Sequence, residues 1–169
     1  MSNKEVATLF GDEEFKSVVR FGKVLPDYYV SKDGRVWSEK TNKFMNPFAQ
    51  YYKKYSGEKK LSKINFAFTI PDDLYEDYKH RKTTTAVNVC KIDLSAHRVV
   101  AETWMPIDEY PPIPKEDWNK CPESAKQFMR DTAIIDHIDN NPRNNHVSNL
   151  QWVTPKENEF NRKKKARLT

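Results

Sequence analysis

The sequence predicts an α+β fold, and three observations carry that expectation. Residues 133–165 read as strand, long polar loop, strand and helix. Residues 28–38 read as a β-hairpin, with Asp33-Gly34 set between two runs of aromatic and β-branched residues. Other alternating apolar stretches all precede residue 95, so antiparallel strands are expected before that point and helices after it.

The chain has 169 residues, enough for one domain or one domain with an appendage. Apolar residues make up 37% and charged residues 31%, which permits only a modest core. The 12% of aromatic residues argues against wholesale disorder. A net charge of +5 favours a polyanionic partner, either nucleic acid or an anionic membrane. No apolar run approaches the roughly 20 residues needed to span a bilayer, and the N-terminus shows no signal-peptide pattern. The expectation is a cytoplasmic protein whose polyanion is nucleic acid, with no membrane partner. Cys90 and Cys121 form no C-x-x-C pair, so no structural zinc is expected and both thiols read as reduced.

The elements follow in order. Residues 1–20 hold two short apolar groups, Val6 to Phe10 and Phe15 to Val19, which either pack as short elements or form a frayed arm. In the hairpin, Tyr28 to Ser31 and Arg35 to Ser38 are the strands, and Lys43 to Met45 adds a third. Residues 49–64 interleave Tyr51, Tyr52 and Tyr55 with Lys53, Lys54, Lys59, Lys60 and Lys63. Lysine neutralises phosphate and tyrosine stacks or donates; the alternative is a solvated charge run on a loop. Ile64 to Ile70 alternates as a strand that Pro71 ends. Residues 72–82 are charged, an exposed turn or short helix, and residues 83–93 are β-branched, another strand.

Ser95 is placed to cap a helix in which Val99, Val100, Thr103 and Trp104 share a face. His97, beside apolar positions, reads as a packed or hydrogen-bonded histidine rather than a catalytic one. Residues 106–131 contain five prolines and then a helix from Glu123 to about Arg130, with Trp118 and Phe128 expected to cover the helical core. This stretch reads as a structural insertion.

Chemistry is concentrated at 133–165. Ala133-Ile134-Ile135 ends in Asp136-His137, and a strand end or bulge can aim both side chains at one site. The Asn- and Asp-rich loop follows, in which Asp139 and its asparagine neighbours read as turn formers and His146 as structural or exposed. Leu150 to Val153 alternates as a half-buried strand. Thr154-Pro155-Lys156-Glu157 then supplies an N-cap, a proline for the first helical position and a capping box. The oxygens of Asp136 and Asn158 suit a hard cation such as Mg²⁺ or Mn²⁺. His137 is the natural general base. A basic run from Arg162 to Lys165 follows. A base, an oxygen-ligated cation and a basic helix together point to hydrolysis of a phosphodiester.

The pattern D-H-I-D-N-N-P-x-N-N-H-x-S-N-L-x-W-V-T-P-K-E-N, Asp136 to Asn158, resembles the HNH endonucleases, specifically the phage-type homing members. The resemblance implies a ββα-metal fold, with His137 activating water and Asp136 and Asn158 holding one divalent metal. It implies that Asn149 ties the loop across the two strands and keeps His137 aimed. Asn158 stands where the family name has histidine, which argues against a zinc-type ligand set. The H-R-x-V-A run at His97 to Ala101 resembles the helix upstream of this motif. The Y-x-V-S-x-x-G-x-V-x-S pattern, Tyr28 to Ser38, resembles a small β-module that precedes the catalytic part and implies DNA contact by a β-ribbon.

These readings divide the chain into a β-rich DNA-binding region, 1–94, and a catalytic region with a basic C-terminal helix, 95–169. The expected catalytic residues are His137, Asp136, Asn149 and Asn158. The expected DNA contacts are Lys32, Arg35, Lys53, Lys54, Arg98, Arg143, Lys156, Arg162 and Lys163. The resemblance implies a metal-dependent endonuclease on double-stranded DNA, a monomer or weak homodimer. It would nick one strand per site and leave 5′-phosphate and 3′-hydroxyl ends. The alternatives are a catalytically inactive DNA-binding protein of the same fold, or an RNA-binding protein.

Overall fold

The computed structural model describes residues 13–74 and 89–166, the last five of these as backbone only. The expected elements at 1–12 and 75–88 lie outside the described residues. The described strands form three antiparallel sheets, in the orders β1-β2-β3-β4, β5-β6-β7 and β8-β9.

The first sheet contains the expected hairpin. Strands β2 (Lys23–Ser31) and β3 (Val36–Ser38) pair with Tyr29 opposite Trp37, and Lys43–Phe44 adds the short strand β4. Strand β1 (Phe15–Arg20) pairs with β2 through a turn at Phe21-Gly22. Both turn residues have positive φ, 52° and 72°, as a two-residue hairpin turn of right-twisted strands requires. Phenylalanine is a poor occupant of that region, and here a residue of the helix Ala96–Trp104 holds it. Glu102 accepts from the Phe21 N–H at 3.0 Å and pairs with the Arg20 guanidinium.

The second sheet is built on β6 (Lys59–Pro71), which is longer than the expected strand because its N-terminal half pairs with β5 (Phe48–Lys53). All six residues of β5 are exposed, so 48–60 is an ordered ribbon rather than a loop. The C-terminal half of β6 pairs with β7 (Val89–Ser95), where Phe66 faces Leu94, Phe68 faces Ile92 and Ile70 faces Cys90, all buried. The Tyr28 hydroxyl joins the two sheets, accepting from the Thr69 N–H at 2.9 Å and donating to its carbonyl at 3.1 Å.

Helix α1 (Ala96–Trp104) lies between the sheets and buries Ala96, Val99, Val100, Ala101, Thr103 and Trp104. The core is continuous from Val18, Leu25 and Val30 through Phe66 and Phe68 to Ile135, Leu150 and Trp152. Ser95 occupies the N-cap position, but its hydroxyl makes no cap bond and lies 3.3 Å from His97 Nε2 instead. A bulge in β1 frees the Val19 N–H, which donates to Thr103 Oγ1 at 3.0 Å.

The proline-rich insertion contributes α2 (Lys115–Lys120) and α3 (Glu123–Thr132). Trp118 is buried as expected, at 3% exposure. Phe128 is not: it is 68% exposed, and α3 buries no residue. Arg130 pairs with Glu123 within α3 at 2.5 Å and with Asp108 of the preceding segment at 2.6 Å. No helix among the described residues is long and apolar enough to cross a membrane.

The third sheet is the hairpin of β8 (Ile134–His137) and β9 (Leu150–Val153), followed by α4 (Pro155–Ala166). Trp152 anchors it, donating from Nε1 to the Met105 carbonyl at 2.8 Å in a buried setting. Trp152→Phe removes that donor and leaves a buried carbonyl unpaired. The expected cost is about 1–3 kcal/mol, read as a drop of several degrees in Tm. An unchanged Tm would show that the indole bond does not anchor the hairpin.

Candidate active site

Strand β8 ends in Asp136 and His137, paired with Gln151 and Leu150 across the hairpin. Neighbouring strand residues face opposite sides, and the two side chains meet different partners. His137 Nε2 lies 3.0 Å from Asn145 Oδ1, and its ring meets that of His97 edge to face, with centroids 5.2 Å apart and planes at 72°. Asp136 Oδ2 accepts from Asn161 Nδ2 at 3.3 Å.

Helix α4 starts through the expected capping box. The Glu157 N–H donates to Thr154 Oγ1 at 3.2 Å, and Glu157 Oε2 accepts from the Thr154 N–H at 2.9 Å. Asn158 and Asn161, three residues apart, therefore share a helix face, and Asn161 turns that face toward Asp136. Asn158 is half-buried.

The loop between the strands is held by side chains. Asn149 is 8% exposed; its Oδ1 accepts from the Asp139 N–H at 3.1 Å, and its Nδ2 donates to Asp139 Oδ1 and the Asn144 carbonyl, each at 2.8 Å. Asp139 Oδ2 accepts from Asn144 Nδ2 at 2.7 Å. These bonds, the Asn141 N–H first, hold the Asp139 carboxyl below its ordinary pKa. His146 is exposed and caps the short 3₁₀ turn Val147–Asn149, accepting from the Ser148 N–H at 3.2 Å. Asn149 thus ties the loop, while the side chain that touches His137 is Asn145. Among five loop asparagines, no spacing marks Asn145 as the one that meets His137. Asn161 carried a clearer signal, its i, i+3 relation to Asn158.

His97 packs beneath His137. Burial, then the proximity of His137, Arg98 and Lys63, pushes its pKa down to about 3. It is a neutral neighbour of the site.

The expected DNA contacts are scattered. Lys32 pairs with Glu14 at 2.9 Å and sits over the Trp104 ring. Arg35 pairs with Asp33 at 3.0 Å and with Glu13. Lys54 pairs with Glu58 at 2.7 Å, and Arg98 with Glu102 at 2.9 Å. Lys53 is exposed on β5, Arg143 on the loop and Lys156 in the first turn of α4. The side chains of Arg162 and Lys163 lie outside the described residues.

At the strand end the Asp136 carboxylate meets the Asn161 amide, and Asn158 lies on the same face of α4 as Asn161. No group of three His, Cys, Asp or Glu among the described residues is arranged to hold a metal. Two or three protein oxygens, completed by water and phosphate, are what Mg²⁺ takes.

Residues 95–160 match the family model described as HNH endonuclease. An HNH endonuclease of Acanthamoeba polyphaga mimivirus is 29% identical over 132 residues, 78% of this chain and 26% of that protein. The solved HNH homing endonuclease I-HmuI is 20% identical, with a TM-score of 0.46, and the match covers 92% of this chain and 61% of that one. The chain thus spans about a quarter of the length of the mimivirus relative. Residues 95–160, from helix α1 through the hairpin to α4, are thus similar to the HNH endonuclease family.

Proposed function

We propose that this chain is a metal-dependent DNA endonuclease of the homing type, with 95–169 as its catalytic region and 1–94 as its DNA-binding region. One observation carries the reading. A single strand end presents a histidine and a carboxylate, and the carboxylate faces an asparagine-bearing helix at 3.3 Å. A candidate general base and a candidate hard-cation ligand thus stand on consecutive residues of one strand end.

In this reading His137 takes a proton from water, which attacks the phosphorus in line. Asp136 and Asn158 are the residues that would hold one Mg²⁺ or Mn²⁺, and that cation, when bound, would supply neutralisation of charge developing on the phosphate. Asn161 orients the Asp136 carboxylate, and Asn149 keeps the loop closed behind His137. The products are a 5′-phosphate and a 3′-hydroxyl, and one site cuts one strand.

The β5–β6 ribbon is the proposed DNA arm. Tyr51, Tyr52, Tyr55, Lys53, Lys59 and Lys60 are all exposed on it. An ordered ribbon with exposed tyrosines beside lysines suits a phosphate backbone better than it suits a core. Lys53 is a stronger candidate than Lys54, whose ammonium is already held by Glu58.

The test of catalysis is nicking of supercoiled plasmid in Mg²⁺. Wild type is expected to yield open circles, and His137→Ala to nick about 10²–10⁴-fold more slowly with an unchanged Tm. EDTA is expected to abolish the activity. Binding of plasmid without nicking would favour the inactive DNA-binding alternative. The arm has its own test, the salt dependence of duplex binding. The Lys53→Ala, Lys59→Ala, Lys60→Ala triple variant is expected to flatten the slope of log Kobs against log salt by about 2 to 3. An unchanged slope would remove the ribbon from the interface.

A further inference from the structure

The turn between β2 and β3 presses on the loop that follows His137. The Lys32 carbonyl accepts from the Val147 N–H at 2.8 Å. Gly34 has φ of +88°, and a Cβ there would lie 3.3 Å from Asn145 Cβ and 3.4 Å from Val100 Cγ2. Only glycine suits both that backbone conformation and that approach. The N-terminal sheet therefore meets the catalytic loop at Asn145.

Asn145 is 7% exposed, and both ends of its amide are used. Nδ2 faces the carbonyls of Arg143 at 3.3 Å and Pro142 at 3.5 Å. An amide nitrogen donates and does not accept, so these carbonyls decide which end faces the histidine. Oδ1 is that end, 3.0 Å from His137 Nε2. An acceptor there requires the proton on Nε2, and a neutral imidazole carries only one. The Nε2–H tautomer follows, with the ring lone pair on Nδ1.

We propose that Asn145 is the positioning residue of His137, and that the β2–β3 turn, through Gly34, holds Asn145 in that pose. Asn145 accepts from Nε2–H, sets the ring's rotation and leaves Nδ1 as the basic nitrogen. The N-terminal module then does more than bind: it braces the base. The catalytic consequence rests on the nuclease reading, whereas the tautomer does not.

Two readouts separate these. Ring ¹⁵N NMR of the labelled full chain, at a pH where the imidazoles are neutral, reports the tautomer, with His137→Ala identifying the signals. Wild type is expected to show the Nε2–H pattern at His137. Asn145→Ala is expected to mix the tautomers and to slow nicking of saturating supercoiled plasmid in Mg²⁺ at least tenfold, with little change in KM. Asn145→Asp keeps an acceptor and is expected to restore the tautomer and most of the rate. Gly34→Ala is expected to shift the same signals. The double variant Gly34→Ala, Asn145→Ala should nick no more slowly than Asn145→Ala alone, as coupled sites require. An Nδ1–H tautomer in wild type would overturn the proposal without any variant having to fold. Unchanged ring signals in Asn145→Ala would also overturn it. Losses that multiply in the double variant would overturn the part played by the turn. A wild type that does not nick, but whose tautomer depends on Asn145, would refute the nuclease reading and leave the positioning in place.

Discussion

Burial of helix α1 is the constraint from which the rest of the arrangement follows. The helix lies against the β1–β4 sheet, the β6–β7 pair and the β8–β9 hairpin, and it shares one core with all of them. Two indoles are buried around it, and a buried indole N–H needs an acceptor. Trp104 finds the Val30 carbonyl at 3.2 Å, which sets the helix against β2. Trp152 finds the Met105 carbonyl at 2.8 Å, which sets β9 against the end of the same helix. Leaving either donor unpaired costs about 1–3 kcal/mol, so each indole fixes a register as well as a volume. The hairpin that carries Asp136 and His137 is thereby placed against the first sheet, although it pairs with no strand of it.

The loop from Ile138 to Asn149 solves a different problem. It spans the hairpin with little regular structure, so its backbone groups need other partners. Asparagine and aspartate side chains supply them at short range. Asp139 accepts from Asn141, Asn144 and Asn149, and its own N–H donates to Asn149 Oδ1. The Ile138 N–H donates to the Asn149 carbonyl at 2.9 Å, which closes the mouth of the hairpin. A loop so cross-linked can hold Asn145 buried, and a buried amide is what a fixed histidine ring needs.

Local chemistry was legible in the sequence and non-local chemistry was not. Asp33-Gly34 announced its hairpin, Thr154 and Glu157 their capping box, and Val99 to Trp104 their helix, because each signal sits within a few residues. The β1–β2 turn was hidden because Phe21 occupies a conformation that asparagine usually takes, and its support comes from Glu102, 81 residues away. Strand β5 was hidden because it has no buried face and therefore no alternation to read. Phe128 reads as core from its type alone, yet nothing covers it in α3, where Arg130 pairs with Asp108 and Glu123 instead. In the site, Asp136, His137, Asn149 and Asn158 stood out by pattern. Asn145 did not, because the work it does is defined by what it touches, and Asn161 was marked only by its i, i+3 relation to Asn158.

His97 completes the electrostatic surroundings of His137. Its ring lies 5.2 Å from that of His137, so two imidazoles share one small volume. Burial first, and then the neighbouring charges, oppose a proton on His97. His97 is pushed down to about 3, and its Nδ1 is buried with no hydrogen-bond partner among the described residues. A protonated His97 would need a second acceptor there, and none is supplied. His97 therefore stays neutral at ordinary pH and presents a ring edge or face rather than a charge. In the proposed mechanism the proton taken from water arrives on His137 while the phosphorane forms. A cationic neighbour at 5.2 Å would raise the cost of that transfer, and a neutral one does not. The histidine that reads as structural thus shapes the chemistry by what it does not carry.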